Sequence, residues 1–222
     1  GAGTMGQGIA AHLANSSRQV VLLDLKGNGA PNQIAERALD IIKKSDLPLS
    51  VEKSRLDFIK PGNLTDDFDE IKNADWIIEA VVERIDIKHQ LYAKIDQVRS
   101  SSSIVSSNTS TIPLSVLTSE MPESMKSDFC ITHFFNPVRF MRLLEIVKTP
   151  EFDETKMDGL LDFCQKELGK GIVICNDTPG FIGNRIGVYA MQVAMYEALD
   201  RGLPVEIADA LFGRPLGIPK TG

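Results

Sequence analysis

Three glycines open the chain at the spacing of a phosphate-binding turn: Gly1-Ala2-Gly3-Thr4-Met5-Gly6. In a strand–turn–helix unit the first glycine permits the tight turn, the second lets backbone approach a pyrophosphate, and the third packs the helix against the strand. Amides at the helix start, those of Thr4 and Met5 among them, then face the phosphates. Glycines also serve ordinary turns, so a partner is needed, and Asp24 supplies one. It ends the apolar run from Gln19, 18 residues beyond Gly6, where a carboxylate can take the adenosine ribose hydroxyls. A carboxylate there repels a 2′-phosphate, so NAD is expected in preference to NADP. The competing reading of Asp24 is a turn residue at a strand end, ahead of Lys26 and Gly27.

Other polar residues fall in a characteristic order: Ser107-Asn108-Thr109-Ser110, then Thr132-His133-Phe134-Phe135-Asn136-Pro137, then Glu145, then the stretch from Asn176 to Arg185. With the glycine turn and the segment Glu79-Ala80-Val81-Val82-Glu83, they give a sequence that resembles the 3-hydroxyacyl-CoA dehydrogenase family along its whole length. The resemblance implies NAD-dependent oxidation of an L-3-hydroxyacyl-CoA to the 3-ketoacyl-CoA, as in fatty-acid β-oxidation. Such a reaction needs a base for the hydroxyl proton while hydride leaves for the nicotinamide. His133 suits the role, because imidazole titrates near neutral pH and a residue at a strand end faces the ligand crevice. Glu145, on the following strand, is placed to accept the other ring N–H and support the imidazolium; the family uses such a His–Glu pair.

By the same resemblance Ser110 and Asn184 hold the reacting oxygen as neutral donors. Ser110 also fits a helix N-cap before Ile112 and Pro113. Asn136 lies beside the nicotinamide in the family, although a residue before proline is expected to be extended in any case. Glu83 and Lys88 match family positions around NAD, and each also fits a solvated charge at a strand end or on a helix; Asn108 is assigned to the cofactor with them. The stretch from Lys26 to Arg55 departs from the family pattern, with extra glycine, proline and serine, so no coenzyme A contact transfers to it. His12 and His89 read as helix-surface or packing residues.

These groups need a frame, and alternating strand and helix patterns supply it: an α/β, Rossmann-type, mostly parallel sheet with helices on both faces, followed by the beginning of an all-helical second domain. Helix patterns cover Gln7 to Ala14, Gln33 to Ser45, Asp66 to Asn73, Asp86 to Val98 and Glu154 to Leu168, and Phe181 to Arg201 reads as a long mixed helix rich in small and apolar residues. Strand patterns cover Gln19 to Asp24, Leu56 to Ile59, Asp75 to Val82, Ile104 to Ser107, Phe129 to Thr132, Arg142 to Val147 and Ile172 to Cys175. Pro179-Gly180 breaks the chain, which sets a domain boundary: 1–178 for the NAD-binding domain and 179–222 for the helical one, cut short. A strand is expected ahead of Gly1, so these residues are expected to begin partway through a βαβ unit and to bind NAD poorly on their own.

Composition excludes several classes. The 222 residues are 43% hydrophobic, enough for a sizeable core, and the net charge of −6 with scattered Lys and Arg offers no stripe for nucleic acid. No apolar run is long enough to span a bilayer, and a cytoplasmic location is expected, with any targeting segment lying ahead of Gly1. Cys130, Cys164 and Cys175 sit far apart in apolar stretches, which suits reduced core thiols and leaves no metal site. The resemblance further implies an acyl-CoA thioester as substrate, a homodimer formed through the helical domain and, in some relatives, fusion to an enoyl-CoA hydratase module. Two rivals stand beside this reading: a related NAD(P)-dependent hydroxy-acid or hydroxybutyryl-CoA dehydrogenase, and a nucleotide-binding structural or redox-sensing protein on the same fold.

Overall fold

Small side chains set the first contact of the fold. A computed structural model of the chain describes residues 1–217; residues 218–222, the end of the expected second domain, lie outside the described residues. Helix α1 (Thr4–Asn15) turns Gly6, Gly8, Ala10, Ala11 and Ala14 inward. With so little bulk it packs closely on strand β1 (Val20–Asp24) and helix α2 (Gln33–Lys44), whose Ala35, Ala38 and Ile42 complete the same buried cluster. β1 pairs in parallel with β2 (Ile59–Asn63), from Val20 opposite Ile59 to Asp24 opposite Asn63.

The other strands form a five-stranded sheet in the order β3 (Trp76–Glu79), β4 (Ile104–Ser107), β5 (Phe129–Phe134), β6 (Leu143–Lys148), β7 (Gly171–Ile174). All neighbours are parallel except β5 and β6. Helix α3 (Ile85–Val98) joins β3 to β4, short helices α4 (Leu114–Leu117) and α5 (Glu123–Lys126) lie between β4 and β5, and α6 (Glu154–Lys166) leads from β6 to β7. Helices cover both faces: Met157, Leu160 and Cys164 of α6 share a core with Ile146 and Phe134, while Tyr92 of α3 meets the Phe129 ring at 5.0 Å. The result is the expected Rossmann-like, mostly parallel sheet with helices on both sides. Burial on the order of 25 cal/mol per Å² of apolar surface is the main source of its stability.

β1 and β3 are not hydrogen-bonded to each other. A cavity of about 830 Å³ is lined by Val20–Leu23 of β1 and by Trp76–Glu79 of β3, with Gly1 and Gly6 in its wall.

Local differences from the sequence patterns have physical causes. Residues expected as a strand from Leu56 form a 3₁₀ turn, Lys53–Phe58, and the strand follows it through Pro61 and Gly62. β2 pairs on one side only, where a proline without an N–H is tolerated. β3 stops at Glu79, four residues into the run expected from Asp75 to Val82, and Val82 is exposed. β7 is the sheet's edge, so Val173 and Ile174 are exposed despite their apolar pattern.

The chain divides into two compact units, Gly1–Thr178 and the part from Pro179 onward. In the second, Gly180 takes φ +77°, a conformation that suits glycine, just ahead of α7 (Gly183–Asp200), and α8 (Val205–Phe212) follows. Among the described residues no helix is long and apolar enough to cross a membrane.

Candidate active site

The glycine turn is built tight on two sides and open on the third. A Cβ on Gly1 would lie 2.4 Å from the Ala80 carbonyl oxygen, and one on Gly6 would lie 1.8 Å from the Gly1 oxygen; at Gly3 nothing stands within 4 Å. Gly1 and Gly6 are therefore glycines for packing, and Gly3 leaves the start of α1 open to a ligand. Gly3 is also the N-cap, without a side chain to occupy the first amides, and both Gly3 and Thr4 are exposed while Met5 is half-buried. Asp24 joins the turn directly: Ala2 N–H donates to Oδ2 at 2.5 Å and Leu25 N–H to Oδ1 at 2.6 Å.

His133 and Glu145 are opposite each other in the antiparallel register of β5 and β6. Side chains directly across such a pair share one face, and His133 Nδ1 lies 2.8 Å from Glu145 Oε2. The Glu145 side chain is fully buried and that of His133 is 6% exposed. A buried carboxylate on Nδ1 favours the tautomer with its proton there, which leaves Nε2 as the acceptor. The Phe135 ring packs beside the imidazole at 4.4 Å between centroids.

Cys175 follows β7, and burial together with the negative charge of Glu145 pushes its thiol up to about 11. Burial pushes Cys164 up to about 12, and all three cysteines are buried, free thiols. At neutral pH they are protonated and inert.

Asn108, Thr109 and Ser110 follow the end of β4, beside β5. Asn108 Oδ1 accepts the Phe134 N–H at 2.9 Å, which ties this segment to the residue after His133. Ser110 is half-buried, and its N–H donates to Glu83 Oε1 at 3.1 Å. The same oxygen accepts from the Thr109 hydroxyl, and from the Thr111 N–H and hydroxyl at 3.3 and 3.1 Å. Burial raises the Glu83 pKa, but the Thr109 hydroxyl, the Lys88 charge and the Ser110 N–H outweigh it and hold the carboxyl below its usual range.

Lys88, expected at the cofactor, is 1% exposed; its Nζ lies 2.7 and 2.8 Å from the two Glu79 oxygens and 3.3 Å from Glu83 Oε2. Asn136 is exposed just beyond β5, joined to Pro137 by a cis peptide bond. Asn184 stands in the first turn of α7, in the second unit. His12 Nε2–H donates to Leu168 O at 3.1 Å, and His89 Nε2–H donates to Val116 O at 3.1 Å.

Two residues that the sequence reading named only inside longer motif stretches have definite structural roles. Asp177 caps α4, accepting the N–H groups of Leu114 at 2.6 Å and Ser115 at 2.9 Å. Glu79 is a buried carboxylate at the end of β3, and its signal was a carboxylate closing an apolar run with Lys88 and Tyr92 spaced i, i+4 on the next helix.

Comparison with known proteins agrees with this frame. The family model described as "3-hydroxyacyl-CoA dehydrogenase, NAD binding domain" matches residues 1–178. A Rickettsia prowazekii protein named as a fatty acid oxidation complex trifunctional enzyme is 44% identical over 225 residues, covering 100% of this chain and 31% of its own length. A Deinococcus radiodurans protein named as a 3-hydroxyacyl-CoA dehydrogenase is 38% identical, over 98% of this chain and 63% of its own. Among solved structures, the (S)-3-hydroxybutyryl-CoA dehydrogenase of Ralstonia eutropha superposes with a TM-score of 0.71 and 32% identity, covering 92% of this chain and 71% of that one. The chain thus spans about a third of the Rickettsia relative, and with a family model matched from Gly1 to Thr178 it belongs to the 3-hydroxyacyl-CoA dehydrogenase family as its NAD-binding domain.

Proposed function

We propose that this chain carries the cofactor-binding and proton-abstracting half of an NAD-dependent L-3-hydroxyacyl-CoA dehydrogenase, oxidising the 3-hydroxyl to a ketone reversibly. The observation that carries the reading is the buried His133–Glu145 pair, 2.8 Å apart, at the strand end to which Asn108 is bonded. His133 Nε2 takes the hydroxyl proton, and Glu145 keeps the ring in the productive tautomer and stabilises the imidazolium that forms. Ser110, with Asn184 from the helical part, donates to the developing alkoxide.

The residues fit NAD. The open approach over Gly3 and the uncapped amides of Thr4, Met5 and Gly6 suit a pyrophosphate, and Asp24 beside the turn suits ribose hydroxyls and disfavours a 2′-phosphate. Asn136 would flank the nicotinamide and Asn108 the same end of the cofactor. When bound, NAD supplies the hydride acceptor. Glu83 and Lys88 serve the cofactor by shaping the wall of its site. The 3-hydroxyacyl thioester, a homodimer through the helical part and fusion to further catalytic modules belong to the same proposal, the last supported by the name of the Rickettsia relative.

The test uses the full-length protein with acetoacetyl-CoA and NADH, followed at 340 nm. Loss of a general base typically costs about 10²–10⁴-fold, so His133→Gln should retain no more than about a hundredth of wild-type turnover. Near wild-type turnover in that variant would remove His133 as the base.

A further inference from the structure

Glu79 is fully buried, and four groups donate to it: Lys88 Nζ to both oxygens at 2.7 and 2.8 Å, the Tyr92 hydroxyl at 2.7 Å, the Ser107 hydroxyl at 2.7 Å and the Val81 N–H at 2.8 Å. Burial and the Glu79 charge raise the Tyr92 pKa, so the phenol stays protonated and donates. A buried ion pair is a poor source of stability, since apolar residues of similar volume often do as well or better. What it fixes is geometry, and the elements it fixes surround the site. Val81 belongs to the turn whose Ala80 carbonyl abuts Gly1. Lys88 and Tyr92 are on α3, and Ser107 ends β4.

From Glu79 two routes run to the residues after β4. The Ser107 hydroxyl donates to Glu79 and accepts the Thr109 N–H at 3.2 Å. Lys88 reaches Glu83 at 3.3 Å, and Glu83 in turn gathers the Thr109 hydroxyl, the Ser110 N–H and both donors of Thr111. Asn108, between these anchors, is bonded to the Phe134 N–H.

We propose that Glu79 is a positioning residue for the reaction: through Lys88 and Ser107 it sets where Asn108 and Ser110 stand against the strand that carries His133. The proposal rests on the dehydrogenase reading above. A glutamine at position 79 keeps the shape but offers one acceptor oxygen, and its NH₂ would face the Lys88 ammonium, donor against donor. Lys88 would then shift toward Glu83, and the segment that Glu83 holds would loosen.

In the full-length protein, Glu79→Gln and the milder Ser107→Ala are compared by steady-state reduction of acetoacetyl-CoA with NADH and by hydrogen exchange of the peptide holding residues 107–111. The expected result for Glu79→Gln is a fall in kcat of at least 10-fold with KM for NADH within about 3-fold of wild type. The pH profile of kcat/KM keeps its midpoint, because the base is His133, and exchange of the 107–111 amides quickens while that of β1 and α2 is unchanged. Ser107→Ala moves both readouts in the same direction by less.

The proposal is overturned if Glu79→Gln leaves kcat and 107–111 exchange at wild-type values. It is overturned equally if exchange rises uniformly over the first unit, the mark of a residue that only supports folding. If wild type itself fails to oxidise NADH with acetoacetyl-CoA, the dehydrogenase reading falls, while local exchange at 107–111 still decides whether Glu79 holds that segment.

Discussion

In the proposed reaction His133 and Glu145 divide the work of one proton transfer, and their burial sets the size of the effect. In a site with little water a carboxylate 2.8 Å from Nδ1 acts on the imidazolium with far less screening than at a surface. Glu145→Gln removes that charge while keeping the shape. Turnover of acetoacetyl-CoA with NADH should drop about 100-fold, within the range for general acid–base groups, and the Kd for NAD by fluorescence titration should stay within about 3-fold. A weakened Kd with unchanged kcat would make Glu145 a binding residue. Both residues were readable from their motif, and the resemblance supplied their pairing. Their face-to-face register depends on β6 running antiparallel to β5, and the apolar pattern of Arg142 to Val147 is the same for either direction. Lys88 shows the opposite case: a lysine on a helix pattern reads as a surface or ligand-facing charge, and only the fold brings Glu79 and Glu83 to it.

At the scale of elements, α1 is held at both ends. Its start carries the glycine turn, and His12 in its last turn bonds to Leu168 O, in the chain just after α6. Burial, and then the Lys170 charge, lower the His12 pKa to about 4, and Nδ1 has no partner. Above pH 6.5 the ring is neutral folded or unfolded, so it adds no pH dependence. As pH falls from 6.5 to 4 the unfolded chain takes up a proton that the folded one refuses, and stability is lost across that window, by at most about 3 kcal/mol. His12→Gln should flatten the urea-derived stability curve between pH 6.5 and 4 relative to wild type; parallel curves would show that His12 is not buried neutral. Elements with strong periodicity were legible in this way: α1, α2, α3 and α6 fall where their apolar spacing puts them, within a few residues. β2 was displaced by about one strand length because Pro61 and Gly62 argue against a strand everywhere except at an edge. α4 and α5 escaped notice since four residues are too few to show a period, and α4 depends on a cap, Asp177, from 63 residues away.

At the scale of the whole molecule the two units differ in what they bury. The first has two buried apolar clusters of its own, one of α6 against the five-stranded sheet and one of α1 and α2 against β1 and β2. In the second, α7 buries only Ala198 and α8 nothing, while Tyr189, Met191, Met195, Tyr196 and Leu199 are more than half exposed. A run of about 40 residues rarely closes a core unaided, and apolar faces of this kind seek cover from further helices or from a second copy. Pro179-Gly180 opens the second unit, and proline and glycine punctuate any pattern. The exposure was not legible in the sequence, because the mixed apolar pattern of α7 fits a helix buried in a larger bundle as well as one standing partly uncovered. This contrast predicts that the 222-residue chain self-associates as concentration rises and binds a hydrophobic dye, and that a chain ending at Thr178 does both to a much smaller degree. Sedimentation velocity over a concentration series decides it. If the chain ending at Thr178 associates as strongly as the longer one, the sticky surface lies on the first unit, at the β7 edge or the β1–β3 cavity, and α7 is exonerated.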